Sequence, residues 1–170
     1  HARFDDYKDD FDNLVDSGVV LQVTCCSNPV FPLRESSKRN LLKLHICDVG
    51  LLSCLLYRNN VRPLREDIPQ INLGNVYECV AAMQLSSNGH TLYYCDNKNH
   101  GEVDYLVDDY DDLSVKAIEI KSGKDHKRHN AIDKLMDVND SCRGFVLSNS
   151  GNVEVQDRIT YLPIYALMFI

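Results

Sequence analysis

The stretch from Gly101 to Gly123, GEVDYLVDDYDDLSVKAIEIKSG, limits the fold most tightly. It reads as two adjacent β-strands, 102–107 and 115–121, that carry charges where a buried sheet should carry none. Asp104 lies between Val103 and Tyr105, and Glu119 between two isoleucines. Strand side chains alternate faces, so Glu119 and Lys121 point the same way. A carboxylate and an ammonium on an apolar strand are costly unless they pair or bind something. A second carboxylate on the neighbouring strand makes a cluster suited to a divalent cation and a phosphate.

The surroundings give this hairpin a place in a domain. Leu73, Val76, Tyr77, Val80, Ala81 and Leu85 recur at helical spacing and predict a helix over 71–85 that contains Glu78. A strand over 91–95 follows, then the two charged strands. A helix over 125–138 (core residues Ile132, Leu135 and Met136) and a strand over 143–147 come next. The segment 159–170 is an apolar closing stretch. The order helix, strand, strand, strand, helix, strand implies an α/β fold with a mixed sheet and helices on its faces.

The first part of the chain has a different pattern. A helix is expected over 3–16, a strand over 19–24, a loop over 25–40 and a strand over 41–47. Together these resemble the tail of a winged-helix unit. Asp48 is a natural N-cap for a helix over 49–57, with Leu51, Leu52, Leu55 and Leu56 as its core face. The charged connector 58–67, with Pro63, is the expected hinge. The chain thus divides into a partial winged-helix-like segment, 1–62, and a second unit, 63–170. Beginning at His1 within a polar helical pattern, it is expected to be a fragment of a longer protein.

Net charge of −7 over 170 residues argues against strong unaided nucleic-acid binding, though not against a locally basic face. Seven cysteines without a C-x-x-C spacing suggest buried thiols in a reducing cytoplasm rather than a zinc site. No apolar run is long enough for a membrane span.

The candidate site is therefore Glu78, Asp104, Glu119 and Lys121. Asp104 and Glu119 would coordinate Mg²⁺ or Mn²⁺, helped by the Ile120 carbonyl and waters. Lys121 would hold or help to deprotonate an attacking water, and Glu78 would bind a second metal or orient water. From spacing alone, an ion pair of Lys121 with Glu119 or Asp104 that serves only the fold is the plainer reading. The order of the surrounding elements is what favours a metal site.

Other features carry less. Lys124, Lys127 and Arg128 follow the charged strand and are candidates for phosphate-backbone contacts. His126 and His129 read as an exposed helix face, and Asp108 to Asp112 as a solvated turn without the glycine of a calcium loop. Arg34, Lys38 and Arg39 occupy the position where a wing would touch DNA.

Asp104…Glu119-Ile120-Lys121, with a helical acid before it, resembles the active-site pattern of the PD-(D/E)XK restriction-endonuclease-like superfamily. Over nearly the whole chain, five ordered stretches resemble the C-terminal domain of uncharacterised function in prokaryotic AAA-family ATPases. These are 14–20, 43–52, 74–80, 101–106 and 118–123, and 161–165 also fits. The resemblance implies a restriction-endonuclease-like core behind an N-terminal P-loop ATPase. No G-x-x-x-x-G-K-[ST] occurs here, so ATP would be bound only through that other domain. Val103 stands where the superfamily motif has proline. The implied function is metal-dependent DNA phosphodiester hydrolysis. The alternative is a catalytically inactive module that binds nucleic acid or protein and reports to the ATPase.

Overall fold

In a computed structural model, residues 6–66, 68, 70–97, 101–122, 130–149 and 151–170 are described. The elements run α1 (Lys8–Asp16), β1 (Val20–Cys26), β2 (Ser37–Ile46), α2 (Val49–Tyr57), α3 (Arg62–Arg65) and α4 (Gly74–Ser87). They continue with β3 (Tyr93–Asn97), β4 (Gly101–Asp109), β5 (Ser114–Lys121), α5 (Asn130–Val138), β6 (Cys142–Ser148), β7 (Glu154–Gln156) and β8 (Ile159–Pro163). Short 3₁₀ segments cover Leu33–Ser36 and Ile164–Phe169.

All eight strands form one mixed sheet in the order β2-β1-β3-β4-β5-β6-β8-β7. β3, β4 and β5 form an antiparallel meander, and α5 lies between β5 and the parallel β6, as a crossover requires. The architecture is the expected mixed α/β arrangement. Its faces are covered separately. On one face α4 supplies Ala81, Ala82 and Leu85 to a core with Tyr105, Ile118, Ile120 and Leu147. On the other, α5 supplies Ile132, Leu135 and Met136 to a core with Val103, Leu106, Val115 and Ala117. The alternation Val115, Ala117 against Ile118, Ile120 is the period of 2 that the sequence carries.

Several local expectations need correction. The stretch 25–40 is not a plain loop: β1 extends to Cys26, and β2 already begins at Ser37, so its polar start Ser-Lys-Arg-Asn is strand. Lys38 and Arg39 are exposed on this outer strand, and Arg34 is in the 3₁₀ turn. Within the connector 58–67, Pro63 sits in the first turn of α3, where its missing N–H costs nothing. β7, wholly exposed, has no counterpart in the sequence reading.

α2 starts where expected, with the Asp48 carboxylate accepting the Leu51 N–H at 2.9 Å. Its leucines do not form a core face, however. Leu51, Leu55 and Leu56 are 47%, 66% and 48% exposed, and only Ser53 is buried. An almost wholly apolar helix gives no contrast from which to read its inward side. In α4 the buried residues are Val76, Cys79, Ala81, Ala82 and Leu85, while Val80 is exposed.

The sheet runs without a break across residue 62. The β1–β2 hairpin joins β3 through the parallel pairs Thr24↔Tyr93 and Cys25↔Tyr94.

Candidate functional site

β4 and β5 are the two middle strands of the sheet, so the charged residues they carry lie at its centre rather than at an edge. Their ladder is regular from Asp109↔Ser114 to Tyr105↔Ile118. Beyond that point β4 departs. Between Leu106↔Tyr93 and Val103↔Cys95, two β4 residues, Asp104 and Tyr105, face the single β3 residue Tyr94. This is the count of a β-bulge, a device that re-aims side chains.

The bulge has a direct consequence for Asp104. Its Oδ2 accepts the Ile120 backbone N–H at 2.7 Å, so the carboxylate takes up an amide that lies beyond the regular ladder. Asp104 is thereby fixed against β5 at the level of Glu119 and Lys121. Those two extend the row of Val115 and Ala117 on the α5 face.

Glu119 is 7% exposed. Its Oε1 accepts from Lys121 Nζ at 2.6 Å, while its Oε2 is buried without a hydrogen-bond partner. The Lys121 side chain keeps 27% of its surface open to solvent. Burial, and then the charge of Asp104, push the Glu119 carboxyl up to about 7 against the pull of Lys121. Asp104 is also raised by burial, opposed by the Ile120 N–H and by Lys43 and Lys121. Glu78, on α4, is half-buried and raised by burial and then by Asp104. Its carbonyl accepts the Tyr105 O–H at 2.8 Å, which ties α4 to the bulge. The other three predicted residues, Glu78, Glu119 and Lys121, thus lie within electrostatic reach of Asp104.

The structure adds groups that the sequence reading passed over. Lys43 of β2 pairs with Glu102 and lies 4.7 Å from the centre of the Tyr94 ring. It opposes the shifts at both Asp104 and Glu78. His45, two residues on, has Nε2 3.3 Å from Tyr105 Oη, and burial and Lys43 lower it to about 4. Lys43 and His45 alternate with leucines in Leu-Lys-Leu-His, the same pattern that exposed Glu119 and Lys121. That pattern was their signal, but nothing in it places β2 beside this hairpin.

Lys124, Lys127 and Arg128 lie outside the described residues, as do His126 and His129. Asp108 to Asp112 contains the β4–β5 turn, where Asp109 accepts the N–H groups of Asp111 and Asp112 and pairs with Lys116. Among the described residues, no group of three His, Cys, Asp or Glu side chains is arranged to hold a metal ion. Also among them, no helix is long and apolar enough to cross a membrane. The cysteines are all free thiols.

The donor set around Asp104 fits a hard divalent cation in one respect. It offers two crowded carboxylates, one of which, Glu119, has its Oε2 buried and unpartnered, and with waters as the remaining ligands this would suit Mg²⁺.

The profile of a family described as a domain of unknown function (DUF4143) matches residues 73–167, more than half of the chain. Neither a curated protein nor a solved structure matches it.

Proposed function

We propose that this chain, which belongs to the DUF4143 family, carries a divalent-metal-dependent site for phosphodiester hydrolysis at Asp104, Glu119 and Lys121. The observation that carries the reading is Glu119. Its Oε1 is paired with Lys121, but Oε2 is buried and unpartnered beside a second carboxylate, which disfavours the ion unless a further cation joins it. Asp104 and Glu119 would hold Mg²⁺ or Mn²⁺. Such an ion, when bound, supplies positive charge to a scissile phosphate and acidifies a water.

The chain's own groups do the rest. The Ile120 amide fixes the Asp104 carboxylate. Lys121 holds Glu119 by Oε1, and its solvent-open flank lets the ammonium face a phosphate oxygen or an attacking water. Glu78 adds an acid on the α4 side, suited to orienting water. The order α4, β3, β4, β5, α5, β6 supports a restriction-endonuclease-like core, with DNA as substrate and an ATPase domain as companion in a longer protein.

A second reading has its own support. Lys121 is already paired with Glu119, as in a module that keeps the acid cluster only as a structural ion pair and binds nucleic acid or protein. Titration calorimetry with Mn²⁺ and nicking of supercoiled plasmid separate the two. The hydrolytic reading expects Mn²⁺ binding that disappears in the double variant Asp104→Asn/Glu119→Gln, and nicking that disappears in Lys121→Met. A folded wild-type protein that neither binds Mn²⁺ nor nicks DNA overturns it. Unchanged nicking in the variants removes the assigned residues.

A further inference from the structure

Two exposed surfaces outside the acid cluster match each other. α1 is a nine-residue helix with no buried residue. It carries Asp9, Asp10, Asp12 and Asp16 against the single cation Lys8. Tyr7, Asp10 and Leu14 stand at i, i+3 and i+7, which sets one aspartate between two exposed apolar side chains on a single stripe. Tyr7 is 48% exposed and Leu14 42%.

The segment from α2 through α3 has the opposite character. Residues 49–65 contain no acid and three arginines, Arg58, Arg62 and Arg65, in a chain whose net charge is −7. All three arginines are exposed, as are Leu51, Leu55, Leu56, Val61 and Leu64. Arg62 is held by Glu66, whereas among the described residues neither Arg58 nor Arg65 forms an ion pair. Five exposed apolar side chains and three arginines within seventeen residues, with no acid among them, have the make-up of a protein interface rather than of an ordinary solvated helix pair.

We propose that the α2–α3 surface of one copy of this chain docks the α1 helix of a second copy. Leu51, Leu55 and Leu56 would receive Tyr7 and Leu14, and Arg58 and Arg65 would meet the aspartates. The two patches differ, so the contact is heterologous, head to tail, and leaves a free α1 on one copy and a free α2–α3 surface on the other. Charge complementarity sets the choice of partner, because an acidic apolar helix is what a basic apolar surface selects.

Sedimentation velocity over a concentration series tests this. Wild type is expected to self-associate at low salt and to dissociate as salt rises. Asp10→Lys alone and Arg58→Glu/Arg65→Glu alone should each weaken self-association at least about tenfold. Mixing the two variants should restore assembly, since each then offers the charge the other lacks. Leu55→Asp, at an exposed position, should abolish assembly with the circular dichroism spectrum unchanged. A monomer at every concentration overturns the proposal. So does a mixture that stays monomeric while wild type assembles. Wild type that remains monomeric yet sediments with phosphatidylglycerol vesicles, in an Arg58- and Arg65-dependent manner, overturns it in favour of a membrane surface.

Discussion

Replacing Glu119 with glutamine isolates the electrostatic strain at the centre of the sheet. The Glu119 carboxyl titrates near 7 in the folded chain, against an ordinary value of 4.5. Between these values the folded chain keeps a proton that the unfolded chain has released. Its contribution to stability is therefore full below pH 4.5 and is lost as the pH rises through 7. At about 1.4 kcal/mol per pH unit, the gap is worth about 3 kcal/mol. The wild-type curve alone would conceal this. His45 is lowered to about 4 from 6.5, so its contribution has the opposite sign: stability rises as the pH climbs from 4 to 6.5. The two slopes largely cancel between pH 4.5 and 6.5. The difference between wild type and Glu119→Gln removes His45 from the comparison. Loss of the Lys121 pairing adds an offset, but the variant itself has no titrating group at 119. Urea unfolding followed by circular dichroism from pH 5 to pH 8 should show the variant gaining on wild type by about 2.5 kcal/mol across that range, the rest having been lost below pH 5. Saturating Mn²⁺ should remove much of the gain by stabilising the ionised wild-type carboxylate. A difference independent of pH would refute the account of Glu119 as a buried carboxyl strained by Asp104.

Three further outcomes follow from packing and hydrogen bonding. Tyr105→Phe removes the donor to the Glu78 carbonyl, and should cost about 1–2 kcal/mol in urea unfolding. Gly144→Ala places a methyl 2.7 Å from Ile132 Cγ2 and 3.2 Å from Ile159 Cγ1. That overpacking should cost about 1–3 kcal/mol in thermal melts, with partial recovery on adding Ile132→Val. Asp48→Ala removes the cap of α2, and should lower stability by about 1 kcal/mol without changing Mn²⁺ binding.

The parts of this fold that were legible in the sequence are those governed by short-range rules. Asp48 announces α2 because a carboxylate before an apolar run satisfies an orphan amide. Asp104, Glu119 and Lys121 stand out because a period of 2 in an apolar strand leaves no neutral reason for a charge. The parts that were not legible depend on partners distant in sequence. The bulge at Asp104 is a mismatch between β3 and β4, and neither strand records it alone. Lys43 and His45 reach the cluster because β1 pairs in parallel with β3, a pairing between segments nearly seventy residues apart. The direction of α2's leucines was misread for a related reason: which side of an all-apolar helix is covered is decided by its neighbours, not by its own period.

The parallel contact between β1 and β3 has a mechanical meaning. Among the described residues, just two ladder pairs, Thr24↔Tyr93 and Cys25↔Tyr94, join the β1–β2 hairpin to the remaining six strands. By contrast, seven pairs join β5 to β6. The sheet thus has a short seam, and the Lys43–Glu102 pair is a stitch across it, from β2 over to β4. The pair meets β4 two residues from Asp104, so the outer hairpin and the acid cluster are joined through a short stretch of one strand.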